Sequence, residues 1–315
     1  MHSFRILFLI TLVVLPLMGE AQVSSKRTAA FYNVENLFDP ENDPASDDGD
    51  FTPEGIYHWT GPLFWEKTGR VARVLGEIKA DIVGLAEIEN RRVLDSLVAH
   101  PTLFGLRYDC VHFDSPDPRG IDVALLYRRG VFRLESMAAV RYSRMPQYRT
   151  RELLHVSGQW RGHPTHVLVC HLPSVTSSPA VRKAAAESVR HYADSLLQVD
   201  PDHLLLVMGD FNANPGDRTM KLLTRNDLLI NPFHALYRQG LGTYNYRNRW
   251  NMYDSILIGG AIPADPAPKV FVRDWLIQPD GPYKGYPFRS FSGTEYIGGY
   301  SDHLPVMLTL PDSLF

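Results

Sequence analysis

Residues 203–217 read HLLLVMGDFNANPGD. From Leu204 to Met208 every side chain is apolar, the pattern of a strand covered on both faces. The run then stops at Asp210, with Asn212 and Asn214 close behind. A charge at the end of a buried strand costs several kcal/mol unless it is paired or faces a cation. NPGD reads as a turn leading into the next helix, which accounts for Asn214 to Asp217 but leaves Asp210 and Asn212 unexplained.

Other strand-like runs end the same way. AAFYN reaches Asn33, with Glu35 beyond; IVGLAE reaches Glu87; HVLVCH reaches His171. Two more runs begin with polar groups, Asp254 before SILI and Asp302-His303 before LPVMLTL. One polar end is ordinary capping. Six such ends are better accounted for if they converge on one pocket. Between them, Val71, Val74, Leu75 and Ile78 recur at helical spacing, as do Val181, Ala185, Val189, Tyr192 and Leu196. Shorter helices are expected over 90–100 and 217–226, and strands over 107–113, 121–128, 132–140, 153–160, 252–260, 269–276 and 301–310. Many strands with a few long helices predict an α/β (α+β) class in which sheets pack together and helices lie outside. Residues 39–62 form a long acidic loop rich in Pro and Gly, read as solvated; a lid or a calcium site is the sharper reading, and its carboxylates lack EF-hand spacing.

The chain has 315 residues, 44% of them hydrophobic, and a formal net charge of -3. That excludes a generally basic nucleic-acid coat, so a polyanion must meet a local patch or a metal. Residues 1–21 carry one arginine, Arg5, an apolar stretch from Ile6 to Met18, and small residues Gly19 and Ala21 before Gln22. This predicts a secretory signal peptide over 1–21, a mature domain over 22–315, and a secreted or periplasmic location with no stable membrane insertion after cleavage. Cys110 and Cys170 both fall in strand-like runs. Export permits a disulfide, and buried free thiols are the favoured reading.

Carboxylates and amides without cysteine suit a hard cation such as Mg2+, with Mn2+ or Ca2+ also fitting. Histidines beside carboxylates suit proton transfer. No serine sits in a nucleophile elbow and no HExxH zinc motif is present. Metal, His, Asp and Asn without a covalent nucleophile fit attack of water on a phosphate ester.

FYNVENL, GLAEIEN, CHLPS, GDFNANP, NMYDSILI and GGYSDHLPV together resemble the motifs of the endonuclease/exonuclease/phosphatase superfamily, in that family's order and over nearly the whole mature chain. The resemblance implies a four-layer α/β/β/α sandwich with two central mixed sheets, a single catalytic domain, and a metal-dependent phosphodiesterase. By the same resemblance Glu87 is the principal metal ligand, Asn33 helps hold metal and phosphate, and Asp302 and Glu35 are further metal candidates. Asp210 positions or activates water and Asn212 orients it. Asp254 and His303 form an Asp-His pair, with His303 a general base or a phosphate-polarising cation. His171 is a candidate general acid, and Arg119 and Asp122 are placed near the substrate.

From Arg119 to Arg161 there are nine arginines against three acidic residues. The stretch reads equally as a solvated face or a phosphate-facing patch. In TYNYRNRWNMYD, Tyr244, Tyr246 and Trp250 alternate with Arg247 and Arg249, which suits stacking on bases or capping of a sheet edge. The reading is a secreted or periplasmic nuclease on DNA or RNA. A phosphatase, or a phospholipid or sphingomyelin phosphodiesterase, on the same scaffold is the alternative. A catalytically silent binding module is a further class, opposed by the presence of Asp210, Asn212, Asp254 and His303.

Overall fold

Two long apolar strand systems, each too hydrophobic to face water, settle the architecture. The computed structural model describes residues 26–262 and 264–311. The expected signal peptide over 1–21 lies outside the described residues.

In chain order come β1 (Lys26–Leu37), α1 (Gly61–Ile78), β2 (Ile82–Ile88), α2 (Arg91–Val98), β3 (Tyr108–His112) and β4 (Asp122–Arg128). Next are β5 (Phe132–Val140), β6 (Leu153–Trp160), β7 (His163–His171), α3 (Pro179–Val199), β8 (Leu204–Asp210), α4 (Arg218–Leu223) and α5 (His234–Arg238). A short hairpin, β9 (Tyr244–Tyr246) and β10 (Arg249–Asn251), leads to β11 (Asp254–Gly260) and β12 (Ala267–Val270). A second hairpin, β13 (Phe291–Ser292) and β14 (Glu295–Tyr296), precedes β15 (Val306–Pro311).

One sheet has six strands in the order β12-β15-β1-β2-β4-β3, the other five in the order β11-β8-β7-β6-β5. Among the described residues only β1–β2 and β7–β8 pair in parallel, so both sheets are mixed. Side chains alternate as the pleat requires. In the five-stranded sheet, Val167, Val169, Leu206, Met208, Ile256 and Ile258 point into the core shared with the six-stranded sheet. Their neighbours Leu168, Cys170, Leu205, Val207 and Leu257 point the other way, onto Ala185 and Val189 of α3 and Met220 and Leu223 of α4. Helices α1 and α2 cover the far face of the six-stranded sheet through residues such as Val71, Leu75, Val93 and Leu97. The result is the four-layer α/β/β/α sandwich. Gly84 lets the two sheets approach closely, because a Cβ there would stand 2.6 Å from Met208 Sδ. No helix among the described residues is long and apolar enough to cross a membrane.

Three sequence expectations change. The strand expected over 269–276 is only β12, followed by a 3-10 turn at Asp274–Leu276. The last strand starts at Val306 rather than 301, because Pro305 has no N–H to donate to the ladder, although its carbonyl still accepts from Phe271 N. Both short hairpins were outside the expected strands; in the first, Arg247 and Asn248 have φ of 49° and 61°, the pair of positive values that a type I′ turn requires. Cys110 and Cys170 are separate, buried free thiols in different sheets.

The acidic loop is not simply solvated. Phe51 stacks on Phe38 and Tyr57, and Trp59 is buried with its Nε1 donating to the Phe38 carbonyl. Asp39, Asp48 and Glu89 are buried with it. Burial, and then the charges of Asp39 and Asp48, push the Glu89 carboxyl up from 4.5 to about 9, although Asp39 N donates to it. Folded Glu89 therefore keeps a proton that the unfolded chain releases near pH 4.5, so its contribution is fully present below that pH and is lost as pH rises towards 9. Glu89→Gln keeps an acceptor for Asp39 N and removes the titration. It should melt several degrees above wild type at pH 8, about the shift for 1 to 2 kcal/mol, with the gap closing at pH 4.5. Thermal melts across that range check this.

Candidate active site

The strand ends meet at one edge of the sandwich. Register puts His171 beside Asp210 across β7–β8, and Asp254 on its other side across β8–β11. Three polar residues thus stand in a row on three adjacent strands. Asn33 and Glu87 sit where the parallel pairing of β1 and β2 in the opposite sheet slips, just before its last pair Leu37–Ile88. Asn33 bridges the two sheets, its Nδ2 donating to Glu87 Oε1 at 3.3 Å and to Asp210 Oδ2 at 3.1 Å.

The backbone is bent at these ends. Pairing of β2 slips between Ala86 and Ile88, and Glu87 between them has φ of 66°. A bulge of this kind re-aims a side chain out of the pleat. Glu35, Asn36 and Asn212 share the left-handed region with φ of 54°, 52° and 47°. Each such non-glycine residue costs about 1–2 kcal/mol. The strain is held by bonds such as Asn36 N to Glu87 Oε2 at 2.9 Å and Asn212 N to Asp210 Oδ1 at 2.8 Å.

His303 lies on the segment before β15, its Nδ1 donating to Asp254 Oδ2 at 2.7 Å and its Nε2 3.8 Å from Asp210 Oδ2. Ser301 steadies it, accepting from His303 N and donating to the Asn33 carbonyl. Burial opposes a charged imidazole, yet Asp254, Asp210 and Asp302 outweigh it and hold His303 well above its ordinary value. Burial, then Arg151, Arg119 and His303, hold His171 well below. Burial and the Asp254 charge push Asp210 up to about 7, against His303 and the donors Asn212 and Asn33. The two histidines are thereby driven to opposite protonation states.

The cleft at this edge has a volume of about 490 Å³. Glu87, His171, Asp210, Asn212, Asp302 and His303 line it, with Arg119, Arg149 and Arg151 on one wall and Tyr244 and Tyr253 on another. The two tyrosine rings stack at 5.5 Å, and Tyr244 also lies 4.9 Å from the His303 ring. An adjoining hollow of about 280 Å³ shares Tyr148, Arg149 and Thr150 with the cleft.

Two of the expected residues lie elsewhere. Asp122 does not line the cleft; it accepts from His112 Nε2 at 3.1 Å and from Ser115 N, because β4 starts there against β3. Glu35 sits behind the cleft, where Ser290 N donates to it and the fully buried Lys67 faces it. Burial and the Asp302 charge push Glu35 up to about 7, with Lys67 opposing. Asp302 is at the rim, paired with Arg289 at 3.2 Å. The arginine-rich stretch divides. Arg128 and Arg161 go to Asp81, and Arg129, Arg133 and Arg141 to Asp109, Glu135 and Glu152, while Arg119, Arg149 and Arg151 reach the cleft.

Sequence reasoning did not single out Arg151 or Asp117. Arg151 is buried, with one guanidinium nitrogen donating to Asp117 at 3.0 Å and its Nε without a hydrogen-bond partner. Neither residue ends an apolar run, so only their place on the wall beside His171 reveals them. Lys67 was hidden in the same way, on the buried face of α1.

The donor set fits a divalent cation. Glu87, Asp210 and Asp302 line the cleft with carboxylate oxygens, and the fully buried Asp254 leaves Oδ1 with no hydrogen-bond partner. Oxygen donors dominate, as hard cations require, and the mutual repulsion that raises Asp210 is what a bound cation relieves.

Gly209 keeps the β8 end in place, since a Cβ there would stand 2.2 Å from the Cys170 carbonyl oxygen. Gly209→Ala should destabilise the fold by about 2–3 kcal/mol through overpacking, read as a lower urea midpoint.

The fold and cleft define a class, the α/β/β/α sandwiches whose acidic and histidine side chains gather at one edge of two facing sheets. A family model described as Endonuclease/Exonuclease/phosphatase family matches residues 28–312, and the chain belongs to that family. No curated protein sequence matches it. Among solved structures it is similar to truncated TDP2 of Caenorhabditis elegans, at TM-score 0.60 and 16% identity, covering 90% of this chain and 97% of that one. The human Nocturnin catalytic domain with bound sulfate aligns at TM-score 0.59 and 17% identity, covering 91% and 94%. A Bacteroides thetaiotaomicron mannosyl-6-phosphatase aligns at 0.57 and 18%, covering 90% and 98%. At such identities the likeness speaks for the fold alone.

Proposed function

We propose that the chain is a divalent-metal-dependent hydrolase of phosphate esters, and within that class an exported nuclease, secreted or periplasmic, that cuts phosphodiester bonds of DNA or RNA. The observation that carries this is the row His171, Asp210 and Asp254, facing Glu87 and Asn33 across the sheets, with His303 locked to Asp254 at 2.7 Å. Asp210, pushed up to about 7, is matched to accepting a proton from water near neutral pH. Asn212 is held rigid by its Nδ2 bond to the Leu172 carbonyl at 3.0 Å and orients that water. His303, held protonated by its carboxylates, stabilises charge developing on phosphate oxygens. His171, held neutral beside two arginines, serves as a hydrogen-bond partner of the phosphate rather than a strong acid. Arg119, Arg149 and Arg151 bind the phosphate backbone. Glu87, steadied by Asn33, and Asp302 would hold a cation such as Mg2+, which when bound supplies Lewis-acid polarisation of a phosphoryl oxygen.

The nuclease reading draws on the stacked Tyr244 and Tyr253 at the cleft and on Tyr246 and Arg247 exposed on the adjoining hairpin, a mixture suited to bases and phosphates. A second reading, a phosphatase, is favoured by the three arginines on one wall, which suit the extra charge of a monoester. The mature protein should be incubated with plasmid DNA, RNA, sphingomyelin, inositol phosphates and a hexose phosphate, with Mg2+ or with EDTA. Metal-dependent cleavage of DNA or RNA supports the nuclease. Phosphate release from monoesters alone replaces it with the phosphatase. No turnover with Mg2+, Mn2+ or Ca2+ points to a silent binding module.

A further inference from the structure

A second cluster of metal-ligating groups lies at the opposite end of the five-stranded sheet. His166 is near the start of β7, five residues before His171 and so about 16 Å from it along the strand. His203 directly precedes β8, and Asp200 ends α3. His166 Nε2 lies 3.1 Å from His203 Nδ1 and 3.2 Å from Asp200 Oδ2, and the latter two atoms are 3.9 Å apart. Zinc bonds of about 2.0–2.1 Å in a tetrahedron place neighbouring ligand atoms ~3.3 Å apart. Three atoms on three elements thus stand close to one triangular face of such a site.

We propose that His166, His203 and Asp200 form a transition-metal site, best suited to Zn2+, separate from the catalytic cleft. Two imidazole nitrogens and one carboxylate suit a borderline cation rather than Mg2+. His166 is buried, whereas the His203 and Asp200 side chains are about one-third exposed, so the open side of the triangle faces solvent. Behind the ligands runs an orienting chain. His166 Nδ1 is 3.0 Å from His155 Nε2, and His155 Nδ1 is 2.9 Å from the Tyr192 hydroxyl. A metal on His166 Nε2 leaves the proton on Nδ1, which donates to His155; His155 Nδ1 then donates to Tyr192, and no ring nitrogen in the chain is orphaned. Such outer partners set the tautomer and orientation of a ligating histidine. The site also sits at the C-terminus of α3, a helix of 21 residues, where the dipole favours a cation. Its role is structural: it ties α3 to β7 and β8, the strands that end in His171 and Asp210.

The test uses the full mature protein, stripped with a chelator and titrated with Zn2+ in excess Mg2+. Wild type should take up one equivalent that His203→Ala and Asp200→Asn each weaken at least 100-fold. Co2+ should give the strong visible absorption of a tetrahedral site in wild type only. Zn2+ should raise the wild-type melting temperature by several degrees and leave both variants unmoved, while their metal-free melting and Mg2+-dependent activity stay at wild-type levels. Equal Zn2+ uptake by wild type and variants, or uptake lost only in Glu87→Ala, overturns the proposal. So does an absence of uptake by wild type, which would leave the three side chains as a hydrogen-bonded cluster.

Discussion

Asp210→Ala and His303→Ala should each lower kcat for phosphate-ester hydrolysis by about 10²–10⁴-fold, the range for removing a general base or a preorganised charge at the transition state. The rate loss in Asp210 variants should not come from unfolding. Asp210→Ala removes an acceptor from Asn33 Nδ2 and Asn212 N, so Asp210→Asn, which keeps an amide oxygen to accept and removes the charge facing Asp254, should lose the same rate while melting close to wild type. His303→Ala differs, because it strips Asp254 of its partner at 2.7 Å and leaves a fully buried carboxylate uncompensated. It should lose stability as well as rate, and His303→Ala with Asp254→Ala should recover part of the stability without activity. The double variant Asp210→Ala with His303→Ala should be barely slower than either single one, since groups acting on one transition state do not add. Steady-state kinetics at saturating substrate, with melts of each variant, check all of this. A kcat within tenfold of wild type for Asp210→Ala would remove Asp210 from the mechanism.

Metal removal should have an effect of similar size. With EDTA the hydrolytic rate should fall to background, and millimolar Mg2+ should restore it. Asn33→Ala should raise the Mg2+ concentration for half-maximal rate by about 10–100-fold, because Asn33 orients Glu87 from behind. Glu87→Ala should raise it at least as much. Asp122→Ala should leave the Mg2+ dependence unchanged, since Asp122 is bound to His112 and Ser115 away from the cleft. Titration of rate against Mg2+ for the four proteins separates these outcomes. A rate insensitive to EDTA would exclude metal-dependent hydrolysis.

Gain and loss between sequence and structure follow a physical line. Continuous apolar runs marked β2, β7, β8 and β11, because a strand between two layers must be hydrophobic on each side. Polar residues at their ends stood out against those runs, which is why Glu87, His171, Asp210 and Asp254 were legible. The hairpin β9–β10 was not, since three-residue strands carry too little pattern and the turn uses Arg247 and Asn248 instead of glycine. Asp122 was placed near the substrate only by the resemblance of its strand, and nothing local says that His112, paired in the neighbouring strand, claims it. Arg151 ends no apolar run, so its place on the cleft wall was invisible.

What the sequence alone determined was the longer helices and strands, their buried faces and the polar residues at their ends, because these depend on side-chain periodicity over a few neighbouring residues. What only the tertiary structure decided was which of those ends meet. The meeting of Asn33 with Asp210, the division of the arginines between Asp81 and the cleft, and the withdrawal of Glu35 to Lys67 each depend on strand register and on the spacing between sheets. Those are set by packing volumes far apart in the chain, such as Gly84 against Met208, and no local pattern encodes them.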